Sequence, residues 1–100
     1  MTDPRESGLV LDPKFDAYGL LTALVVDAAE GAVLMVGHMI REALDLTQQS
    51  GKVTFFSRSR KRLWTKGEIS GNFLHLVELR IDCDQDALLV IARPDGPTCH

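Results

Sequence analysis

The sequence predicts an α+β domain that is mainly β, with short antiparallel strands and hairpins packed around one main helix. Apolar runs of strand length recur along the chain between turn residues, whereas only one stretch repeats apolar residues at helical spacing. The chain has 100 residues, of which 45% are hydrophobic and 25% charged, as in an ordinary soluble domain. We therefore expect an N-terminal arm at residues 1–14 and a single domain at residues 15–100.

Composition and charge argue against several classes of protein. No apolar run approaches the roughly 18 residues that a membrane span needs, and the first residues lack a signal-peptide pattern. We therefore expect a cytoplasmic protein with no membrane partner, in which two cysteines are more often free or metal-bound than disulfide-linked. The formal net charge of −3 argues against general affinity for nucleic acid.

The first half of the chain predicts a hairpin. A turn at Tyr18-Gly19 precedes an apolar strand at Leu20–Val26, and Ala32–Val36 forms the returning strand. The connection Asp27–Gly31 is a turn in which Gly31 is available for a positive φ.

The main helix is predicted at Ile40–Ser50. Ala43, Leu44 and Thr47 repeat at helical spacing, and Gly51 stands where a C-terminal cap is expected.

The second half predicts further short strands. A strand at Val53–Phe56 runs into a basic loop at Ser57–Arg62, and a turn follows at Ser70–Asn72. The last hairpin pairs Phe73–Ile81 with Ala87–Ala92. His75 lies among apolar residues of this hairpin, and we expect it in the core.

An acidic cluster, Asp82-Cys83-Asp84-Gln85-Asp86, separates the last two strands. In an extended chain its three aspartates share one face, and oxygen ligands of this kind suit magnesium, calcium or manganese. An EF-hand loop is excluded because Ala87 and Arg93 occupy its required glycine and acidic positions. The alternative is an acidic hairpin tip that binds no ion.

The two cysteines, Cys83 and Cys99, are a second candidate metal site. Thiolates favour zinc among the common cytoplasmic metals, and His100 beside Cys99 is a candidate nitrogen ligand. The alternative is a pair of buried, inert thiols. The H-x-E and P-C-x-x-C motifs of the zinc deaminases do not occur.

The basic loop is a candidate phosphate site. Its charged and hydroxyl side chains are hydrogen-bond donors for phosphate. Trp64 either provides a stacking face for a base or packs in the core. The short stretch fits a small phosphorylated ligand better than duplex DNA. A solvated turn and a single-stranded RNA site are the alternatives. The donors are Ser57, Arg58, Ser59, Arg60, Lys61, Arg62 and Lys66.

Several motifs in this order resemble those of the phosphoribosyl-AMP cyclohydrolase family. The resemblance extends from about Phe15 to the end of the chain, and its combination of motifs is highly specific. The motifs are Gly31-Ala32-Val33-Leu34-Met35, Arg41-Glu42-Ala43-Leu44, Ser57-Arg58-Ser59-Arg60, Leu63-Trp64-Thr65-Lys66-Gly67-Glu68, Ser70-Gly71-Asn72, Asp82-Cys83-Asp84-Gln85-Asp86 and Gly96-Pro97-Thr98-Cys99-His100.

The resemblance implies a hydrolase of histidine biosynthesis that opens the adenine ring of phosphoribosyl-AMP between N1 and C6. It also implies zinc and magnesium as cofactors, and an intertwined homodimer whose zinc site is shared between subunits. Asp82, Asp84 and Asp86 would then hold magnesium, while Cys83 and Cys99 would hold zinc. We expect the substrate-binding residues to be Ser57, Arg58, Ser59, Arg60, Trp64, Lys66, Gly67, Ser70 and Gly71.

His100 is our candidate for the catalytic proton shuttle, because an imidazole exchanges protons near neutral pH. The sequence departs from the family at three places, one of which is Val26, where members carry a glutamine. Members continue past the Cys-His pair to a further cysteine, the third zinc ligand, so we expect either a truncated tail here or a poorer set of zinc ligands. They also carry Trp-Met-Asn where His38-Met39-Ile40 stands, so a helix-capping asparagine is replaced. A phosphorylated-nucleotide-binding module that has lost zinc and catalysis is the alternative.

Overall fold

The computed structural model describes residues 13–81 and 86–96. This part of the chain contains six strands and one helix, which confirms the predicted mainly β, α+β fold. The elements are β1 (Leu21–Asp27), β2 (Val33–Met39), α1 (Arg41–Ser50), β3 (Thr54–Ser57), β4 (Arg62–Thr65), β5 (Leu74–Ile81) and β6 (Ala87–Pro94). No helix in the described ranges is long and apolar enough to cross a membrane.

The strands form a four-stranded sheet in the order β2-β1-β6-β5 and a two-stranded sheet of β3 and β4. The predicted hairpins are present, since β1 pairs antiparallel with β2 and β5 pairs antiparallel with β6. The two hairpins join through β1 and β6, which run parallel, with Thr22 beside Ala87 and Asp27 beside Ala92. The beginnings of β1 and β6 therefore lie side by side.

The turn between β1 and β2 forms as predicted. The Asp27 Oδ1 atom accepts hydrogen bonds from the backbone N–H groups of Ala29, at 2.8 Å, and Glu30, at 3.3 Å. Gly31 has φ 75°, which a glycine adopts without steric cost.

Helix α1 ends where the sequence predicts. Gly51 has φ 75°, and its N–H donates to the Thr47 carbonyl oxygen at 3.0 Å. Ala43, Leu44 and Thr47 are the buried residues of the helix. At the other end Ile40 precedes the helix without a side-chain cap, as its replacement of asparagine implies.

The four-stranded sheet has two different faces because side chains alternate along each strand. One face packs against α1 and the β3–β4 hairpin and supplies most of the core, including Leu21, Ala23, Val25, Met35, Met39, Leu88, Val90 and Ala92. The alternate positions, which we call the outer face, are apolar at its centre: Leu24, Val26, Val36, Leu89 and Ile91. Val36 on this face is 56% exposed.

A glycine brings the two sheets together. A Cβ atom at Gly37 of β2 would lie 2.6 Å from Cδ1 of Phe55, so any larger residue would push the Phe55 ring away. Phe55 is 1% exposed and fills the space between the sheets. This close approach places the β3–β4 hairpin against β2.

Buried threonines connect the hairpin to the helix. The Thr54 N–H donates to Thr47 Oγ1 at 2.9 Å, and Thr47 Oγ1 lies 2.9 Å from the Ala43 carbonyl oxygen, to which it donates. Thr54 Oγ1 in turn lies 3.0 Å from Thr65 Oγ1 on β4. The position of both hairpin strands is thus tied to α1.

Candidate active site

The β3–β4 hairpin presents the basic loop. Ser57 pairs with Arg62 and Phe55 pairs with Trp64, so these four side chains share one face of the hairpin. Ser57 Oγ accepts the Arg60 N–H at 3.2 Å and lies 3.4 Å from Ser59 Oγ. The two serines therefore help to hold the turn that carries the arginines.

Trp64 is held by an aromatic contact. Its ring centroid lies 5.1 Å from that of Phe55, with 33° between the ring planes. Because Phe55 is buried, this contact fixes one side of the indole and leaves Trp64 half-buried.

The first cavity, which we call the β2–β3 cavity, lies between the hairpin and β2 and has a volume of about 520 Å³. That volume lies within the range of small-molecule sites. The cavity brings together four of the predicted substrate-binding residues and four residues that were not predicted to belong to a site. The lining is Gly37, His38, Phe55, Phe56, Ser57, Arg58, Ser59 and Trp64.

The second cavity, which we call the arginine cavity, has a volume of about 300 Å³ and is lined by Ser57, Arg60, Arg62 and Trp64. Ser57 and Trp64 thus line both cavities. Arg62 also forms an ion pair with Glu68, at 3.7 Å between Nη2 and Oε1.

The other predicted substrate-binding residues, Lys66, Gly67, Ser70 and Gly71, follow β4 and line neither of these cavities. The Gly71 N–H donates to the Gly67 carbonyl oxygen at 2.7 Å, which closes a turn. Gly67 has φ 96°, and a Cβ atom there would collide with the backbone of Asn72. Contacts of these four residues, Lys66, Gly67, Ser70 and Gly71, with the substrate remain a prediction.

Most of the predicted metal ligands and the candidate shuttle lie outside the described residues. They are Asp82, Cys83, Asp84, Cys99 and His100. Asp86 is described and is exposed directly before β6. Within residues 13–81 and 86–96, no three His, Cys, Asp or Glu side chains are grouped closely enough to hold a metal ion. Both metal sites remain predictions.

An ion pair lies on β5 just before the acidic cluster. Arg80 Nε donates to Glu78 Oε2 at 2.7 Å, and both side chains are well exposed. The hydrogen bond from Arg80 lowers the pKa of Glu78, and the same contact raises the pKa of Arg80.

His75 is not a core residue, contrary to the expectation from its apolar neighbours. Its side chain is 31% exposed, and Nε2 lies 2.6 Å from Asp95 Oδ1. The other oxygen, Asp95 Oδ2, accepts the Phe73 N–H at 3.2 Å. Desolvation disfavours the charged form of Asp95, but the hydrogen bonds from His75 and Phe73, aided by the charge of Arg93, leave its pKa lowered.

Some residues of the β2–β3 cavity were not predicted to belong to a site, because the local sequence around them gives little indication of one. Gly37 and His38 belong to a strand predicted to end at Val36, and only the pairing of β2 with β1 extends it to Met39. Phe55 was predicted only as a strand residue. Its contact with Gly37 joins two sheets, and hydrophobic periodicity within one strand does not report such a contact.

The fold and the site define a small α+β domain with a cationic hairpin and a tryptophan between two cavities. Guanidinium and hydroxyl donors beside an aromatic ring suit a phosphorylated ligand with a planar part.

Comparison with known proteins agrees with this class. A family model described as phosphoribosyl-AMP cyclohydrolase matches residues 35–100. A phosphoribosyl-AMP cyclohydrolase of Rhizorhabdus wittichii is 58% identical over 100 residues, which is all of this chain and 81% of the relative. One from Sphingopyxis alaskensis is 59% identical over the whole chain and 79% of the relative. The histidine biosynthesis bifunctional protein HisIE of Escherichia coli is 62% identical over 82% of this chain and 40% of its own length.

The chain belongs to the phosphoribosyl-AMP cyclohydrolase family. The family predicted from the sequence is therefore confirmed.

Proposed function

We propose that the protein hydrolyses the N1–C6 bond of the adenine ring of phosphoribosyl-AMP, a reaction of histidine biosynthesis in the cytoplasm. Water adds to C6, the C6–N1 bond breaks, and N1 takes up a proton. The observation that carries the proposal is the β2–β3 cavity, where Arg58, two serines and Trp64 meet in a chain of this family.

The cavity residues suit binding of this substrate. The Arg58 guanidinium can form two parallel hydrogen bonds with a phosphate, and the Ser57 and Ser59 hydroxyls add donors. The Trp64 ring supplies a flat apolar surface for the purine. These side chains bind and orient the substrate.

The donor atoms of the acidic cluster and of Cys99 fit the two metals that the family resemblance implies. Carboxylate oxygens of Asp82, Asp84 and Asp86 are hard ligands that suit magnesium, and thiolates of Cys83 and Cys99 suit zinc. The cluster falls between β5 and β6, and Ile81 pairs with Leu88 across its ends. Held by these thiolates, zinc would supply hydroxide at neutral pH, because it lowers the pKa of bound water to about 7.

We assign the proton transfer to His100, which directly follows Cys99 in the chain. An imidazolium at this position would donate its proton to the departing ring nitrogen and recover one from solvent.

The same proposal includes a homodimer that associates through the outer face. Leu24, Val36 and Leu89 lie side by side there, because Leu24 pairs with both of the others. Val36 is 56% exposed although its neighbours are apolar, which is unfavourable in a monomer. A second copy placed on this face would remove these side chains from water.

The experiment is an incubation of the purified protein with phosphoribosyl-AMP, zinc and magnesium. We expect an absorbance change and a product heavier than the substrate by one water. A protein that binds the substrate but leaves it intact would support the non-catalytic binding module instead.

A further inference from the structure

The two cavities share a wall but carry different cations. Ser57 and Trp64 line both, whereas Arg58 lines the β2–β3 cavity and Arg60 and Arg62 line the arginine cavity. A ligand that extends past Trp64 would therefore meet arginine on each side.

We propose that the two phosphates of phosphoribosyl-AMP bind separately, one in each cavity, with the purine against Trp64. This inference rests on the proposed function and adds to it the assignment of two phosphate subsites. The substrate carries two phosphates because its AMP and phosphoribosyl parts contribute one each, on different riboses.

The hairpin geometry supports two subsites rather than one. Residues at alternate positions share a face, so Ser57 and Arg62 stand next to the Phe55–Trp64 pair on one side of the hairpin. The β2–β3 cavity extends from this wall towards Gly37 and His38, and the arginine cavity extends towards Arg60 and Arg62.

Electrostatics favours the same arrangement. Each phosphate monoester carries about −1.5 to −2 charges at pH 7, so two phosphates in one cavity would repel each other strongly. Separate arginines allow each phosphate its own charge-assisted hydrogen bonds.

Arg62 of the arginine cavity already has an anionic partner, Glu68. The carboxylate lies 3.7 Å from Nη2 of Arg62 and competes with a phosphate for the guanidinium. Glu68→Gln should therefore tighten substrate binding, because the amide competes less well for a cation.

The test compares two ligands on two variants of the full chain. Arg58→Gln removes the cation of the β2–β3 cavity, and Arg60→Gln with Arg62→Gln removes those of the arginine cavity. Phosphoribosyl-AMP has both phosphates and AMP has one, so their dissociation constants are measured by calorimetry for each variant. Lys61→Gln removes one charge from the same turn, lines neither cavity and reports the general electrostatic effect.

We expect both variants to weaken phosphoribosyl-AMP binding by about tenfold or more, which is typical for loss of a charged hydrogen-bond partner. Only one of the two should weaken AMP binding to that extent, because AMP has no second phosphate. Equal weakening of AMP by both variants, or a variant that leaves phosphoribosyl-AMP binding unchanged, would overturn the two-subsite arrangement.

The wild-type protein separates this inference from the function on which it rests. If wild type turns over phosphoribosyl-AMP but both variants weaken AMP binding equally, the two-subsite arrangement is overturned and the proposed hydrolysis stands. If wild type binds phosphoribosyl-AMP without turnover, the proposed hydrolysis is overturned. The dissociation constants of the arginine variants then still decide between one phosphate subsite and two. Failure of wild type to bind the substrate overturns both.

Discussion

At the residue scale, Asp95 forms hydrogen bonds with residues that lie 20 and 22 positions earlier in the chain. It joins the end of β6 to the beginning of β5 through His75 and the Phe73 N–H, and these bonds favour its charged form. The segment that follows it in the chain contains Cys99 and His100. Asp95 is thus a structural anchor four positions before Cys99, one of the two predicted zinc ligands.

Asp95→Asn should lower stability near neutral pH and have less effect in acid. A carboxyl with a lowered pKa in the folded state stabilises the protein fully above its unfolded pKa of about 3.9. That contribution is lost as the pH falls through the lowered pKa. Thermal unfolding of wild type and variant at several pH values measures the difference. Asp45→Asn on the exposed side of α1 is the control, and a wild-type–variant gap that stayed constant down to pH 3 would contradict the assignment.

Cys83→Ala should lower the zinc content of the purified protein and leave its magnesium affinity nearly unchanged. The reason is that a thiolate is a soft ligand, whereas the magnesium would be held by aspartates. Asp84→Asn should give the opposite pattern. Elemental analysis after dialysis measures both, and a Cys83→Ala protein with undiminished zinc would remove this cysteine from the ligand set.

At the element scale, the β3–β4 hairpin carries the candidate site and depends on α1 for its position. Thr47 is fully buried and accepts the Thr54 N–H, so its hydroxyl links the helix to the strand that precedes the basic loop. The helix and the hairpin are therefore expected to unfold together.

Thr47→Val keeps the shape of the side chain but leaves the buried Thr54 N–H without its acceptor. The expected loss is about 1–3 kcal/mol in the free energy of unfolding, the cost of an unsatisfied buried donor. Urea denaturation measures this loss. Thr47→Ser keeps the hydroxyl and is the matched control; if valine proved no worse than serine, the hydrogen bond would not be what holds the hairpin.

Local patterns were sufficient to predict most of the elements, but not the full length of β2, which depends on pairing with β1. The apolar strands, the turn at Gly31 and the cap at Gly51 were all confirmed. The partner of His75 was not predictable in this way, since Asp95 lies twenty positions further along the chain. The two cavities likewise depend on contacts between β2 and β3 that no local pattern encodes.

At the scale of the whole molecule, the parallel pairing of β1 with β6 determines the outer face. It places Leu24 beside Leu89 and Val26 beside Ile91, and so it creates one apolar surface from two hairpins. Sequence motifs indicated the family and the basic loop, but this surface follows from strand order alone.

Val36→Glu should convert the proposed dimer to a monomer, because it places a charge within the apolar outer face of each copy. Sedimentation velocity measures the oligomeric state. Leu46→Glu introduces the same residue at a partly exposed position of α1 and should leave the dimer intact. A wild-type protein that sediments as a monomer at micromolar concentration would contradict the proposed association.

Hydrolysis at the β3–β4 hairpin can be followed through Trp64, the only tryptophan in the chain. In a single-turnover experiment, tryptophan fluorescence reports occupancy of the hairpin cavities while absorbance reports ring opening. We predict that phosphoribosyl-AMP changes the Trp64 emission before product absorbance appears, and that the emission recovers as product leaves. Product formation without any change in Trp64 emission would place the reaction elsewhere, and an emission change with no product would contradict hydrolysis.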